Sequence, residues 1–170
     1  MVMNFFKINI DSSVYVISIF VILLFLAIFG YLIYTKIPIN NQILTFIILI
    51  CPLIITIFFV PTSYLLTEDK IVINKVCGSI KIKKADIIDI DTPKGDELKG
   101  SIRVFASGGF LGYFGKYKSP KLGKYNMYAG SMKANNLLVI KTKDGKQYVI
   151  SPKNKEVFLF FTQQMLISKK

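Results

Sequence analysis

Ser107-Gly-Gly-Phe-Leu-Gly-Tyr-Phe-Gly115 is the most distinctive segment of the chain, and glycine at that density permits close backbone approach to a phosphate. A phosphate-cradling loop needs Gly-x-Gly-x-x-Gly or a following Gly-Lys-Ser/Thr, and neither occurs. Two readings are left. In one, the glycines allow a bend that folds the aromatics onto a sheet. In the other, Phe110, Leu111, Tyr113 and Phe114 form a partly exposed apolar tip that enters a lipid interface or a partner groove. Lys116, Lys118, Lys121 and Lys124 follow closely, with Lys133 beyond. As a collar around such a tip, each would add about 1 kcal/mol of attraction to an anionic leaflet. As a solvated face they recognise nothing in particular.

No other constellation carries chemistry as well. Histidine is absent, which rules out a Ser-His or Cys-His nucleophile. Cys77 has one lysine, Lys75, near it in sequence, too little to make a reactive thiol. Asp86, Asp89 and Asp91, with Asp96 and Glu97 beyond, lack the spacing of a calcium loop. On a strand Asp89 and Asp91 share a face, and the cluster reads as a solvated edge that discourages sheet pairing. The expectation is a non-enzymatic chain with no catalytic, metal-binding or cofactor-binding residues.

The elements that hold the glycine-aromatic segment follow two apolar stretches. Residues 12–35 and 37–67 carry no charge, and Lys36 alone separates them. A membrane span needs ~20 apolar residues, and residues 14–34 and 43–60 each supply about that length. This predicts transmembrane helices at about 13–35 and 42–61, in an anchor over residues 1–61 that precedes a domain over residues 62–170. A cleaved signal peptide is shorter and ends at small residues, whereas this run ends in Tyr31-Leu-Ile-Tyr34-Thr35-Lys36. The link at 35–41 contains Pro38 and allows only a tight turn, so the helices form an antiparallel hairpin with both termini on one side. Lys7, Lys70, Lys75, Lys81, Lys83 and Lys84 flank that side, against Lys36 in the loop. The positive-inside bias places both termini and the domain in the cytoplasm. Pro52 predicts a kink in the second helix. Neither span holds an ionisable group of the kind transport uses.

Charge divides the chain as sharply as hydropathy does. Of the 22 basic residues only Lys7 and Lys36 precede Glu68, so the tail is strongly basic and points to an anionic neighbour. Only Arg103 is arginine, and lysine suits diffuse attraction better than shaped recognition. Cys51 and Cys77 fall in different phases and form no disulfide framework.

The tail alternates like a sheet. Strands are expected at 64–67 and 71–74 around Glu68-Asp-Lys70, and then at 76–83 with a turn at Gly78-Ser79. Residues 85–91 follow, with Ile88 and Ile90 on one face. Further strands are expected at 102–105 and at 124–129, where Tyr125, Met127 and Ala129 lie opposite Asn126 and Tyr128. Residues 137–142 and 147–150 form a hairpin whose Asp144-Gly145 suits a type I′ turn. Ser151-Pro152 opens a helix that presents Val157, Phe158, Phe161 and Met165 on one face.

Residues 103–117, the stretch Gly123-Lys-Tyr-Asn-Met-Tyr-Ala129 and residues 148–158 together resemble the bacterial pleckstrin-homology-like (bacterial PH) domains. The resemblance covers roughly residues 62–168, with Ala106 where glycine is expected. It implies a mainly-β PH-like domain behind the transmembrane α-hairpin: about seven antiparallel strands in two bent sheets, capped by a C-terminal helix. It implies no catalytic residues. Headgroup-binding relatives use lysines and arginines around the first hairpin loop, but Thr67-Glu68-Asp69-Lys70 is net acidic here, which argues against inositol-phosphate recognition. The expected role is a module at the bacterial inner membrane that contacts the bilayer, anionic lipid headgroups or a protein partner. An accessory subunit of a larger membrane complex is the first rival. Nucleic-acid binding is a weaker one, given the anchor and the single arginine.

Overall fold

Residues 4–35, 38–94 and 96–167 are described in the computed structural model. The chain joins its β domain before it enters its first helix. Asn4–Lys7 is a strand, β1, paired antiparallel with Pro61–Leu66 (β2), so that Phe6 stands opposite Tyr64. The next residues continue along the domain. The Asn9 N–H donates to the Ser151 carbonyl at 2.7 Å, the Lys153 N–H to the Lys7 carbonyl at 2.9 Å and the Asp11 N–H to the Gly130 carbonyl at 2.9 Å. The Asp11 carboxylate accepts from the Ser131 hydroxyl at 2.7 Å. There it stands at a helix N-terminus, where negative charge complements the helix dipole. The division expected at residue 61 therefore does not hold for the first residues, because β1 belongs to the domain's sheet.

Two helices follow, α1 (Ser12–Tyr34) and α2 (Ile39–Phe58), both long and apolar enough to cross a membrane. At 1.5 Å per residue they measure about 34 and about 30 Å, close to the ~30 Å of a hydrocarbon core. Only Val14 and Ser18 are buried on α1, and nothing is buried on α2. An uncovered aliphatic surface of this extent is not stable in water. Phe29 and Phe46 meet across the hairpin with ring centroids 5.5 Å apart. The second helix runs on through Pro52, whose carbonyl accepts the Thr56 hydroxyl at 2.7 Å. Lys36, the loop charge of the topology argument, lies outside the described residues. Because β1 leads into α1 and β2 follows α2, the hairpin leaves one sheet and returns to it.

That sheet is completed by β3 (Lys70–Lys75) and β4 (Ser79–Lys83), in the order β1-β2-β3-β4. A six-stranded sheet holds β5 (Ile87–Asp91), β6 (Ile102–Gly108), β7 (Tyr113–Ser119), β8 (Gly123–Ala129), β9 (Leu138–Thr142) and β10 (Gln147–Ile150), in the order β5-β9-β10-β8-β7-β6. Here β10 inserts between β9 and β8 and runs parallel to β8, so the strands are not all antiparallel. The helix α3 (Lys155–Ile167) closes the open side, with the Phe158 ring 5.0 Å edge-on from Phe6. Tyr64, Ile71, Ile73, Leu138, Ile140, Ile150 and Phe158 form the core between the sheets. A second cluster, with Tyr117, Tyr125 and Met127, fills the opposite face of the larger sheet under Leu98. The segment covering it is held by the Ser119 hydroxyl on the Glu97 carbonyl and the Tyr125 hydroxyl on Ser101.

Three local expectations change. A bulge in β5 between Ile87 and Asp89 shifts the alternation, so Ile87 and Ile90 are buried while Ile88 is 63% exposed. The hairpin turn places only Gly145 at positive φ (74°), not Asp144, and is a three-residue loop rather than a type I′ turn. The helix starts at Lys155, because Ser151 and Pro152 are engaged by the N-terminal segment, and Val157 is exposed.

Tyr64 ties the two sheets together. Its hydroxyl donates to the Tyr128 carbonyl at 2.6 Å and accepts from the Ser151 N–H at 3.0 Å, with no exposed surface. Tyr64→Phe removes the hydroxyl that bonds both backbone groups, a loss of about 1–3 kcal/mol. It is expected to lower the denaturation midpoint of the full chain in detergent micelles. Burial pushes the phenols of Tyr64, Tyr117, Tyr125, Tyr128 and Tyr148 above the ordinary value of 10.0. Their folded values lie above the unfolded ones, so this stability is complete below about pH 10 and declines as pH rises further. In an alkaline absorbance titration these phenols should ionise together with loss of the β circular-dichroism signal, not before it.

Candidate functional site

The glycine-aromatic segment is the tip of the β6–β7 hairpin, and it is docked on the first helix. Its turn is held by the Ser107 hydroxyl donating to the Phe110 carbonyl at 2.8 Å and the Gly109 N–H donating to the Gly112 carbonyl at 3.1 Å. Leu111 adopts φ 58°, the only left-handed non-glycine among the described residues. Its N–H donates to the Ser18 hydroxyl oxygen at 2.9 Å, and the Ser18 hydroxyl in turn donates to the Val14 carbonyl. Gly109 takes φ 116°, a conformation that favours glycine, and a Cβ there would also meet Ile17 Cδ1 on α1 at 2.6 Å. The Tyr113 hydroxyl stands 3.4 Å from Ser13 Oγ. The tip is thus braced against the helix, with Phe110, Leu111 and Tyr113 half-buried. Phe114 is 4% exposed and belongs to no free tip.

The lysines separate. Side chains alternate along β7, so Phe114, Lys116 and Lys118 share one face while Tyr117 and Ser119 turn to the other. Lys116 is the cross-strand partner of Phe105 on one side and Asn126 on the other. Lys118 pairs with Lys124, and Lys121 lies in the turn beyond Ser119. Tyr113 to Ser119 spans about 20 Å at ~3.3 Å per residue, roughly two Debye lengths at physiological salt. Of the expected collar, Lys116 alone stands beside the aromatics.

The face that carries Phe114, Lys116 and Asn126 meets the last turns of α2. Between them opens a cleft of about 660 Å³. Ile55, Thr56 and Phe59 form the helix wall, and Phe105, Phe110 and Phe114 form most of the sheet wall. Lys116, Asn126 and Tyr128 add polar groups to it, and none of the lining residues is acidic. Phe105, on the edge strand β6, is 77% exposed. The Lys75 ammonium sits 5.1 Å from the Phe59 ring centroid. The β3–β4 turn is fastened to the same helix end, the Val76 N–H on the Val60 carbonyl and the Cys77 N–H on that of Phe58. Sequence reasoning missed Ser18, Thr56, Phe59 and Phe105. Ser18, a polar residue in an apolar run, and Phe105, at the end of a short strand, were the signals to follow.

The first hairpin loop of the domain is unsuited to phosphate. The Thr67 hydroxyl donates to Asp69 at 2.8 Å and holds its carboxyl below the usual range, with Lys70 at 3.7 Å adding to the effect. The loop therefore keeps its negative charge. Among the described residues no three His, Cys, Asp or Glu side chains gather as a metal site.

A family model described as Bacterial PH domain matches residues 62–166, more than half of the chain. The match takes in β2 through β10 and nearly all of α3. No curated protein and no solved structure matches the chain. Two packed sheets closed by a C-terminal helix agree with that match, and the chain belongs to the bacterial PH domain family.

Proposed function

We propose that this chain is a non-enzymatic PH-like module held at the cytoplasmic face of the inner membrane, where its domain rests against anionic lipid headgroups. The observation that carries the reading is the fixation of the helical hairpin at its base. β1 and residues 9–11 bind the start of α1 into the domain, the β6–β7 tip is bonded to Ser18, and β2 follows α2 within a few residues. A domain fastened in this way has no tether along which to wander, so lipid contact orients it rather than recruits it. Lys75 and Lys116 stand at the exit of α2, and Lys133 follows Ser131, the partner of Asp11 at the start of α1. Lysines on the domain side against Lys36 in the loop favour a cytoplasmic domain.

One observation favours a second reading, an accessory subunit of a membrane complex. Between α1 and α2 lies a groove of about 360 Å³ lined by apolar side chains, including Phe25, Phe29, Phe46 and Leu53. A helix of another subunit would fit there through packing alone.

The test uses the full chain, since residues 62–170 alone lack β1. In a Cys51→Ser variant, exposed Cys77 should react with a membrane-impermeant maleimide in inside-out vesicles only. Reaction in right-side-out vesicles alone would overturn the cytoplasmic placement. In nanodiscs at low salt, backbone exchange near Lys75 and Lys116 should be slower with phosphatidylglycerol than with phosphatidylcholine. The difference should vanish near 1 M salt, where the Debye length is ~3 Å. Identical exchange in both lipids would discard lipid contact in favour of a protein partner in the groove.

A further inference from the structure

We infer that the cleft between the end of α2 and the β6–β8 face binds one anionic membrane lipid, with the acyl chain among the phenylalanines and the phosphate at Lys116 and Asn126. The inference rests on the membrane reading above and assigns it a site. Three features point to that ligand.

The first is access. Ile55 and Thr56 belong to the last turn of a helix long and apolar enough to cross a bilayer and Phe59 follows it directly, so the cleft opens where such a helix leaves it. A lipid reaches the cleft by lateral diffusion without crossing water.

The second is shape and polarity. A volume of about 660 Å³ lies within the ~300–1,000 Å³ of small-molecule sites. Phe59, Phe105, Phe110 and Phe114 make an aromatic lining, and Phe105 leaves most of its ring uncovered by protein. An acyl chain lying on the Phe105 ring would cover apolar surface that the protein leaves exposed.

The third is charge. Lys116 and Asn126 face each other across β7 and β8 at the polar side of the cleft. Neither side chain has a hydrogen-bond or ion-pair partner among the described residues, and no carboxylate lines the cleft. An ammonium beside an amide donor suits a phosphodiester oxygen. The site lies apart from the first hairpin loop, whose Asp69 repels the same group.

The test is photo-crosslinking in the full chain reconstituted in nanodiscs. With p-benzoylphenylalanine at position 105, crosslinking to phosphatidylglycerol is expected to exceed that to phosphatidylcholine about five-fold, the factor for one lysine beside an anionic headgroup. The same photoprobe at Ile88, exposed on the opposite edge strand β5, is expected to capture little lipid. Lys116→Gln should remove the preference while leaving the fold intact. Thr56→Trp should fill the cleft and suppress capture of both lipids. Equal capture at positions 105 and 88, no preference for phosphatidylglycerol, or undiminished capture in a folded Thr56→Trp chain would each overturn the site. The Cys77 labelling and the exchange near Lys75 involve no residue that lines the cleft, so failure of the cleft is distinguishable from failure of the membrane reading.

Discussion

The backbone bonds that fasten residues 4–11 to the domain are the constraint on which the rest depends. β1 supplies the outer strand of the smaller sheet and delivers Phe6 to the core beside Tyr64 and Phe158. Burying one such phenylalanine is worth about 1.5–3 kcal/mol. The same pairing fixes where α1 begins, and β2 fixes where α2 ends. Two helices that hold few contacts with each other are positioned by their common base rather than by their own packing. Lipid or another helix is then free to occupy the space between them.

A second consequence of that base is the junction itself. The β6–β7 tip leans on α1 through Ser18, the β3–β4 turn is bonded to the end of α2, and the cleft lies between. Chemistry at this junction is graded: apolar where α2 ends, cationic one strand position further on. In PH-like domains that meet a membrane through the first hairpin loop, lysines and arginines crowd that loop. Here Thr67 stabilises a carboxylate there, and the positive charge near the helices comes from Lys75 and Lys116 instead.

Much of this was legible in the sequence. Two uncharged runs gave the helices to within a few residues, and period-two alternation gave most strands and both faces of β8. What stayed hidden depended on partners far away in the chain. Asn4-Phe-Phe-Lys7 is too short to show a period and becomes a strand only because β2 offers an edge. β7 was concealed by the glycines before it, although Lys116-Tyr117-Lys118 alternates as a strand should. The β5 bulge moved Ile88 out of the core, and composition does not encode a bulge. The lysines expected as a collar are spread along β7 and beyond it, because sequence proximity says nothing about which end of a strand a residue occupies. Lys121 is near Phe114 in the chain and a strand's length away in space.

The order in which the chain emerges gives β1 an unusual history. Phe6 is synthesised first, yet its partner Tyr64 appears only after both helices are made. Until then β1 has nothing to pair with, and closing so long a loop is slow. With the hairpin across a bilayer, a molecule in which only one of the two helices inserts leaves β1 and β2 on opposite sides and cannot complete its sheet. It would retain a bare β2 edge and an open core, the features that quality-control proteases and chaperones recognise. The pairing of β1 with β2 thus requires the two helices to cross together, because a chain threaded by a single helix cannot close the sheet.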